Sequence, residues 1–365
     1  MRSVNAFKLG LFGANCASGL AVTKAPERWV ASWENNVTAA RMAEQAGLEF
    51  MLPIARWHGY RGEANSQGSN FETLSWAGGL LASTKTITCF STIHLPFVNP
   101  VFAAKQAVTI QSIGHGRFGL NIVAGGNAPE FEMFGVELLE HDDRYRYAEE
   151  WLTVVKKIWR DDEPFDFNGN FFKLKGVVSD PKPCEGVNPM ILSAGSSPAG
   201  RDFAIRNADS LFMNIVSFES LAEELKLLRV AAGSQRASVY ASGHVMCRKT
   251  DKEAEDFHHY IVHEMGDWAA VDHILHLRQH QKTIPMDKLV KMKERLLGGI
   301  GTYPVIGSPD TVAATFKALH EAGIDGMAFG LIDYIAELPF FQEEVLPRMA
   351  RLGLRERAQA SERVA

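Results

Sequence analysis

The feature that most constrains the fold is an alternation along the chain. Short apolar, β-prone runs are each followed by a longer segment whose apolar residues have helical spacing. This alternation predicts parallel strands joined by crossover helices. Eight runs have this character, and the predicted strands are 8–13, 49–54, 86–93, 117–123, 189–193, 210–215, 239–247 and 326–331. Eight strands with about as many helices predict a (β/α)₈ TIM barrel.

Two segments interrupt the alternation. Residues 165–174, with Asn168-Gly169 at the turn, predict a hairpin. Residues 251 to about 300 are helical and polar-rich, and they predict a helical insertion before the last strand. We expect residues 1–355 to form a single domain and residues 356–365 to form a frayed tail.

An open, doubly wound sheet is the alternative architecture. Such a sheet usually carries GxGxxG after its first strand, because glycines there let a dinucleotide approach the backbone. The corresponding segment here reads GLFGANCASG and lacks that spacing. The closed barrel is therefore favoured.

Composition excludes several classes of function. The formal net charge is −5 and the pI is near 6.2, so no basic excess favours a nucleic-acid partner. The four cysteines are far apart and form no CxxC pair, which argues against a zinc ribbon or a disulfide framework. No apolar run approaches 18 residues, so we expect no membrane partner and a cytoplasmic location.

The segment between predicted strand five and its helix is a candidate phosphate site. In a (β/α)₈ barrel, functional residues follow the carboxyl ends of the strands. Residues 193–198 read SAGSSP, and Ser196 and Ser197 would add hydroxyl donors to a helix N-terminus that attracts anions. The alternative is a plain helix cap with Pro198 at the first helical position.

The end of predicted strand four and the loop predicted after it, residues 124–143, are a second candidate. Asn121 lies near the end of a buried strand, where its amide can donate to and accept from a heterocycle. The alternative is that Asn121 only caps the turn. Glu130 is a candidate for orienting a ligand, whereas we expect Glu132 to be a solvated loop carboxylate.

A charged segment opens the next helix, which is predicted over 144–159. Asp142 or Asp143 could cap this helix, so that Arg144 and Tyr145 occupy its first turn. Arginine suits a phosphate, and tyrosine supplies a hydroxyl and a stacking ring. The alternative is an ordinary salt-bridged helix start.

Two histidines lie where functional side chains are expected. His94 ends predicted strand three and His58 lies in the loop after strand two, so either could donate a proton or a hydrogen bond to a substrate. The alternative for both is a structural role. His273, His276 and His280 share one face of a predicted helix but lack a carboxylate partner pattern, so we expect no metal site.

These motifs together resemble a known family, the bacterial luciferase-like flavin monooxygenases. The resemblance is to the branch containing pyrimidine (uracil) monooxygenase and dimethyl sulfone monooxygenase. The segments that carry it are FMLPIARWHGYRG (50–62), AAKQAVTIQSIGHGRFGLNIVAGGNAPEFEMFG (103–135), LEHDDRYRYAEEW (139–151) and ILSAGSSPAGRDFAIRNAD (191–209). The segments SGLAVTKAPERW (18–29) and FFQEEVLPR (340–348) resemble the sulfone enzymes in particular.

The resemblance implies contacts with FMN. Ala55 and Arg56 would meet the flavin ring from the end of strand two, and Asn121 would meet its polar edge. Glu130 would contact the flavin or the loop that covers it. Gly126 departs from the relatives, which commonly have Trp there, and this leaves space beside the flavin.

The resemblance also implies a phosphate site and an oxygen site. Arg144 and Tyr145 would hold the phosphate or ribityl chain, with Ser196 or Ser197 at the phosphate itself. Thr92 would place O₂ near the flavin together with the strand-four asparagine.

The implied activity is that of a two-component oxygenase. A separate NAD(P)H-dependent reductase would supply reduced FMN, which reacts with O₂ to give a peroxide at flavin N5 or C4a. The substrate would be a pyrimidine-like cyclic amide or a small organosulfur compound, and the enzyme would be a dimer or tetramer. The alternatives are a deazaflavin-dependent oxidoreductase and a non-catalytic flavin-binding barrel.

Overall fold

The computed structural model describes residues 3–195, 197–232, 237–277 and 286–356. Its main element is a closed parallel barrel, as predicted. The barrel strands are β1 (Lys8–Phe12), β2 (Phe50–Leu52), β3 (Thr88–His94), β4 (Phe118–Val123), β7 (Met190–Ser193), β8 (Ser210–Asn214), β9 (Ser238–Cys247) and β11 (Gly326–Gly330). Neighbouring strands pair in that order, and β11 closes the barrel by pairing with β1.

Helices surround the barrel within the described residues. They are α1 (Trp33–Gln45), α2 (Thr73–Ser83), α3 (Pro100–Ile113), α4 (Ala128–Phe134), α5 (His141–Arg160), α6 (Pro198–Asn207), α7 (Phe218–Ala232), α8 (Asp251–His259), α9 (Trp268–Leu277), α10 (Met286–Gly299), α11 (Pro309–Ala322), α12 (Tyr334–Phe340) and α13 (Leu346–Arg351). Several begin at the signals that the sequence displays: at α11, for example, Ser308 caps the helix and Pro309 follows it. No helix in the described part is long and apolar enough to cross a membrane.

The inside of the barrel is filled by side chains from alternate strand positions. Phe50 packs edge-to-face against Phe90 and Tyr240, at ring distances of 5.8 and 5.7 Å. Gly10 and Gly119 leave room for these rings, because a Cβ at either position would lie 2.3–2.4 Å from a phenylalanine ring atom. The opposite strand faces pack against the helices in a larger apolar layer.

The predicted hairpin is confirmed as β5 (Phe165–Asn168) paired with β6 (Lys173–Val177). A further strand, β10 (Tyr303–Gly307), was missed by the sequence prediction. It pairs in parallel with Gly243–Cys247 of β9, which is ten residues long and extends beyond its barrel neighbours. This strand is only five residues long, contains a proline and directly follows the helical insertion. Its sequence therefore does not stand out as a separate strand.

The loop after β4 was predicted as continuous from 124 to 143, and this is wrong. It contains α4, which has Pro129 in its first turn and ends at Gly135 in the left-handed region, φ +64°. The next helix, α5, begins at His141 rather than at Arg144. Asp142 and Asp143 therefore lie within its first turn, where their negative charges interact favourably with the helix dipole. Neither residue caps the helix.

The predicted helical insertion is present between β9 and β11, as α8, α9 and α10. It packs on the loops that follow β1 and β2. The Val22 amide donates to the Leu297 carbonyl (2.8 Å), and the Ala64 amide donates to Asp267 Oδ2 (2.7 Å). Apolar residues of both loops and of the helices form one cluster around Val22 and Tyr60. The insertion therefore covers part of the barrel face at which the strands end.

Candidate active site

Thr92 and Asn121 lie side by side at the carboxyl ends of β3 and β4. The two residues are partners in the β-ladder, and Asn121 Nδ2 donates to Thr92 Oγ1 (3.1 Å). Thr92 Oγ1 donates in turn to the Pro53 carbonyl (2.6 Å). Asn121 Oδ1 is buried and has no hydrogen-bond partner among the described residues. Since buried acceptors are usually satisfied, this oxygen is available to a ligand's N–H group.

Glu130 connects the segment after β4 to the loop after β2. Its carboxylate is fully buried, and Oε1 accepts from the Trp57 amide (2.9 Å) and from an Arg56 guanidinium nitrogen (3.3 Å). Arg56 also donates to the Tyr60 hydroxyl (2.8 Å) and to Gln67 Oε1 (3.3 Å). Glu130 thus contacts the loop that follows β2 at the barrel mouth.

His94 lies against Glu130 without a hydrogen bond. Its Nδ1 is 3.6 Å from Glu130 Oε2, and both atoms are buried and unpartnered among the described residues. Burial lowers the pKa of His94 to about 4; the Arg56 charge adds to this effect, and the Glu130 charge opposes it. His94 is therefore neutral at pH 7, where it can donate from one ring nitrogen and accept at the other.

The expected phosphate residues are brought together only in part. The Tyr145 hydroxyl and His141 Nε2 each lie 3.1 Å from Ser197 Oγ. Ser197 is also the N-cap of α6 and accepts from the Gly200 amide (3.1 Å). The cap geometry expected for this segment is therefore present, together with a cluster of hydroxyls at the helix N-terminus. Ser196 lies outside the described residues.

Arg144 does not join that cluster. It donates to the Gly125 carbonyl (2.5 Å), and its Nε is buried without a partner in the described part. A Cβ at Gly126 would lie 3.2 Å from the Arg144 guanidinium. Arg144 thus braces the segment after β4, and the glycine at 126 leaves room for the guanidinium.

A cavity of about 230 Å³ opens at the carboxyl ends of the strands. Of the predicted site residues, Arg56 lines it, whereas Thr92, Asn121 and His94 do not. Its floor includes Phe12 at the end of β1 and Phe212 in the middle of β8, and their rings meet edge-to-face at 5.4 Å. Arg56 lines it from the loop after β2, with buried Ala55 immediately before. Ile300 and Thr302, which follow the helical insertion, form another wall. The strand-end and loop contributions surround a space suited to a small molecule.

The sequence prediction missed part of this lining, namely Tyr60, Gln67, Ile300 and Thr302. These residues come from a long loop and from the end of the insertion, where no periodic pattern fixes a position. The GGIG run at 298–301 was the available signal, because paired glycines indicate a tight turn.

A larger groove, of about 1320 Å³, lies at the opposite end of the barrel. It surrounds the buried Arg355–Glu49 ion pair (2.9 Å). Residues that precede the strands stabilise a barrel, whereas residues that follow the strands carry its chemistry. The smaller cavity is therefore the better candidate for the active site.

The chain is similar to a family of known proteins over most of its length. Residues 7–326 match the family model for luciferase-like monooxygenases. The chain is 29% identical over 363 residues to an FMNH₂-dependent dimethylsulfone monooxygenase of Pseudomonas putida, covering 96% of this chain and 97% of the relative. It is 28% identical to the pyrimidine monooxygenase RutA of Bradyrhizobium sp., and the match covers 95% of this chain and 98% of that relative. The crystal structure of DmoA from Hyphomicrobium sulfonivorans superposes with a TM-score of 0.85 at 18% identity. The superposition covers 97% of this chain and 90% of DmoA.

Proposed function

The chain belongs to the luciferase-like monooxygenase family, and on this premise we propose its cofactor and its class of substrate. It is an FMNH₂-dependent monooxygenase that oxygenates a small heteroatom-bearing molecule, either a small organosulfur compound or a pyrimidine-like cyclic amide. The relatives named for dimethylsulfone and pyrimidine oxidation support both classes. The observation that carries the proposal is the unpaired, buried Asn121 Oδ1 at the barrel mouth.

Reduced FMN supplies two electrons, so that one atom of O₂ enters the substrate and the other leaves as water. We expect a separate NAD(P)H-dependent reductase to deliver the reduced flavin, and the enzyme to work as a dimer or tetramer. The protein's own contribution is to bind, to orient and to exclude water.

Asn121 would orient the flavin ring. Its free Oδ1 would accept an N–H from the polar edge of the ring, and its amide group is held in place by Thr92. The Thr92 hydroxyl has one hydrogen, which it donates to the Pro53 carbonyl, so it has none left for O₂. The role that fits Thr92 is to hold the Asn121 side chain in place. The expected role of this pair in placing O₂ then falls mainly on Asn121.

The phosphate would bind at the N-terminus of α6. Ser197 and Tyr145 place two hydroxyls there, and backbone N–H groups and the helix dipole favour an anion. Arg144 would act indirectly, by holding the segment after β4. This arrangement fits a flavin whose phosphate and ring are bound at separate strand ends.

His94 and Arg56 would face the reacting end of the site. A neutral His94 can donate or accept a hydrogen bond without adding a charge. Arg56 lies beside Ala55 at the cavity and carries a positive charge balanced by Glu130. Arg56 makes one side of the cavity polar, whereas Phe12 and Phe212 make another side apolar.

Anaerobic titration tests the cofactor assignment directly. Reduced FMN should bind more tightly than oxidised FMN, and a reduced deazaflavin should not compete. Asn121→Ala should weaken binding of reduced FMN roughly tenfold, because a hydrogen bond to a buried ring is lost. Asn35→Ala, a matched change on α1, should leave binding unchanged. Preference for the deazaflavin, or full affinity in Asn121→Ala, would overturn the assignment.

A further inference from the structure

The turn between α10 and β10 has an unusual backbone. Ile300 has φ +52° and Gly301 has φ +91°. Among the described non-glycine residues with positive φ, Ile300 is the one with a β-branched side chain. Such a conformation is disfavoured for β-branched residues, and it persists only where the surroundings fix it. Strain of this kind concentrates at functional sites.

A set of hydrogen bonds holds this turn in place. Arg295 donates to the Thr302 carbonyl (2.8 Å) and to the Val216 carbonyl (3.1 Å), so it ties the turn to the loop after β8. Thr302 Oγ1 donates to the Gly299 carbonyl (2.7 Å) and lies 2.9 Å from His244 Nδ1. The turn is therefore fixed from both sides with Ile300 at its centre.

Ile300 lines the candidate active-site cavity. On another side of this cavity, Arg56 donates to Gln67, Glu130 and Tyr60, which uses three of its five N–H groups among the described residues. The other two remain for an acceptor oxygen. With a volume of about 230 Å³, the cavity has room for a compact ligand with short apolar arms.

We propose that Ile300 is a specificity-determining residue that limits the length of the substrate's apolar arms. The substrate it fits carries an acceptor oxygen for Arg56 and short alkyl groups, as a small dialkyl sulfone does. The strained turn keeps the isoleucine at the cavity wall, where a glycine would leave the wall open. This inference rests on the proposed function, since it names the substrate class of that site.

Calorimetric titration of the FMN-loaded protein with dialkyl sulfones, from dimethyl to dibutyl, tests the length limit. Wild-type affinity should be greatest for a short member and fall beyond it. Ile300→Ala should bind the first members beyond that limit about tenfold more tightly than wild type does, since one methylene in a pocket is worth roughly that factor. Ile300→Val should shift the limit less.

Leu289→Ala is the matched control. Leu289 packs in the same insertion cluster but does not line the cavity, so its truncation should leave the length limit unchanged. The inference is overturned if Ile300→Ala keeps the wild-type limit, if Leu289→Ala shifts it equally, or if wild type binds no member. It is also overturned if Ile300→Ala weakens FMN binding, since the residue would then contact the flavin instead.

Thermal unfolding tests the backbone argument. At a positive φ, glycine is favoured over alanine. Ile300→Gly should therefore melt about 1–2 °C above Ile300→Ala, although it removes more of the side chain. A lower melting temperature for the glycine variant would contradict the strained turn.

The binding assay also separates this inference from the proposed function. If the sulfones bind with the expected shift in length and no oxygen is transferred, the proposed function fails and the role of Ile300 stands. If oxygen is transferred with an unchanged length limit, the role of Ile300 fails and the proposed function stands.

Discussion

Replacing Glu130 by glutamine should loosen the loop that follows β2. The carboxylate is fully buried, lies 3.3 Å from an Arg56 guanidinium nitrogen and accepts the Trp57 amide at 2.9 Å. Breaking a buried ion pair costs about 3–5 kcal/mol. Glutamine keeps one acceptor oxygen for the Trp57 amide, and Arg56 is partly exposed, so we expect about 2–3 kcal/mol. That loss raises the open population of the loop roughly 30- to 150-fold.

Hydrogen exchange measures this opening. Amides in residues 56–68 of Glu130→Gln should exchange faster by that factor, while the barrel strands keep wild-type protection. Glu132→Gln is the matched control, because Glu132 lies two residues along the same helix and is exposed. Equal exchange in wild type and Glu130→Gln, or the same acceleration in Glu132→Gln, would refute the reasoning.

Three further changes probe the site. Thr92→Val removes the acceptor that holds Asn121, so the yield of product should fall roughly 10- to 100-fold. Reduced flavin should still be reoxidised, so hydrogen peroxide should accumulate. The control Thr88→Val, on the same strand, should change neither the product yield nor the peroxide yield. Arg144→Ala should speed proteolysis of residues 124–140 and, because that segment is loosened, weaken reduced-FMN binding about tenfold; unchanged proteolysis and affinity would contradict its role in holding the segment. The pKa of His94 falls from 6.5 to about 4 on folding, so unfolding free energy should decline as pH drops through that range, by up to about 1.4 kcal/mol per pH unit. Urea unfolding at a series of acidic pH values measures this decline, and His94→Gln should make it less steep. An unchanged dependence of the unfolding free energy on pH would show that other groups cause it.

The barrel was predictable because it depends on local periodicity. Alternating apolar runs fix the strands, and serine-proline pairs such as Ser308-Pro309 fix helix starts. Helix α4 was missed for a different reason. It is seven residues long and mostly exposed, so it shows little periodicity, and its stability depends on Glu130 reaching the loop after β2.

The candidate site was predictable where it follows strand ends. Thr92 and Asn121 are neighbours because parallel strands in register bring their ends together. The bond from Thr92 to the Pro53 carbonyl, and the brace from Arg144 to Gly125, depend on side-chain geometry that spacing does not contain. The wall at Ile300 comes from a segment distant in sequence from every other part of the cavity.

Isotope labelling tests the central claim most directly. Wild-type protein is supplied with reduced FMN under ¹⁸O₂ and a panel of small sulfones and pyrimidines, and the products are analysed by mass spectrometry. We predict one ¹⁸O atom in each product molecule and one reduced flavin consumed for each product formed. Label from water instead of O₂, or oxidation of the flavin with no labelled product from any member of the panel, would contradict the account.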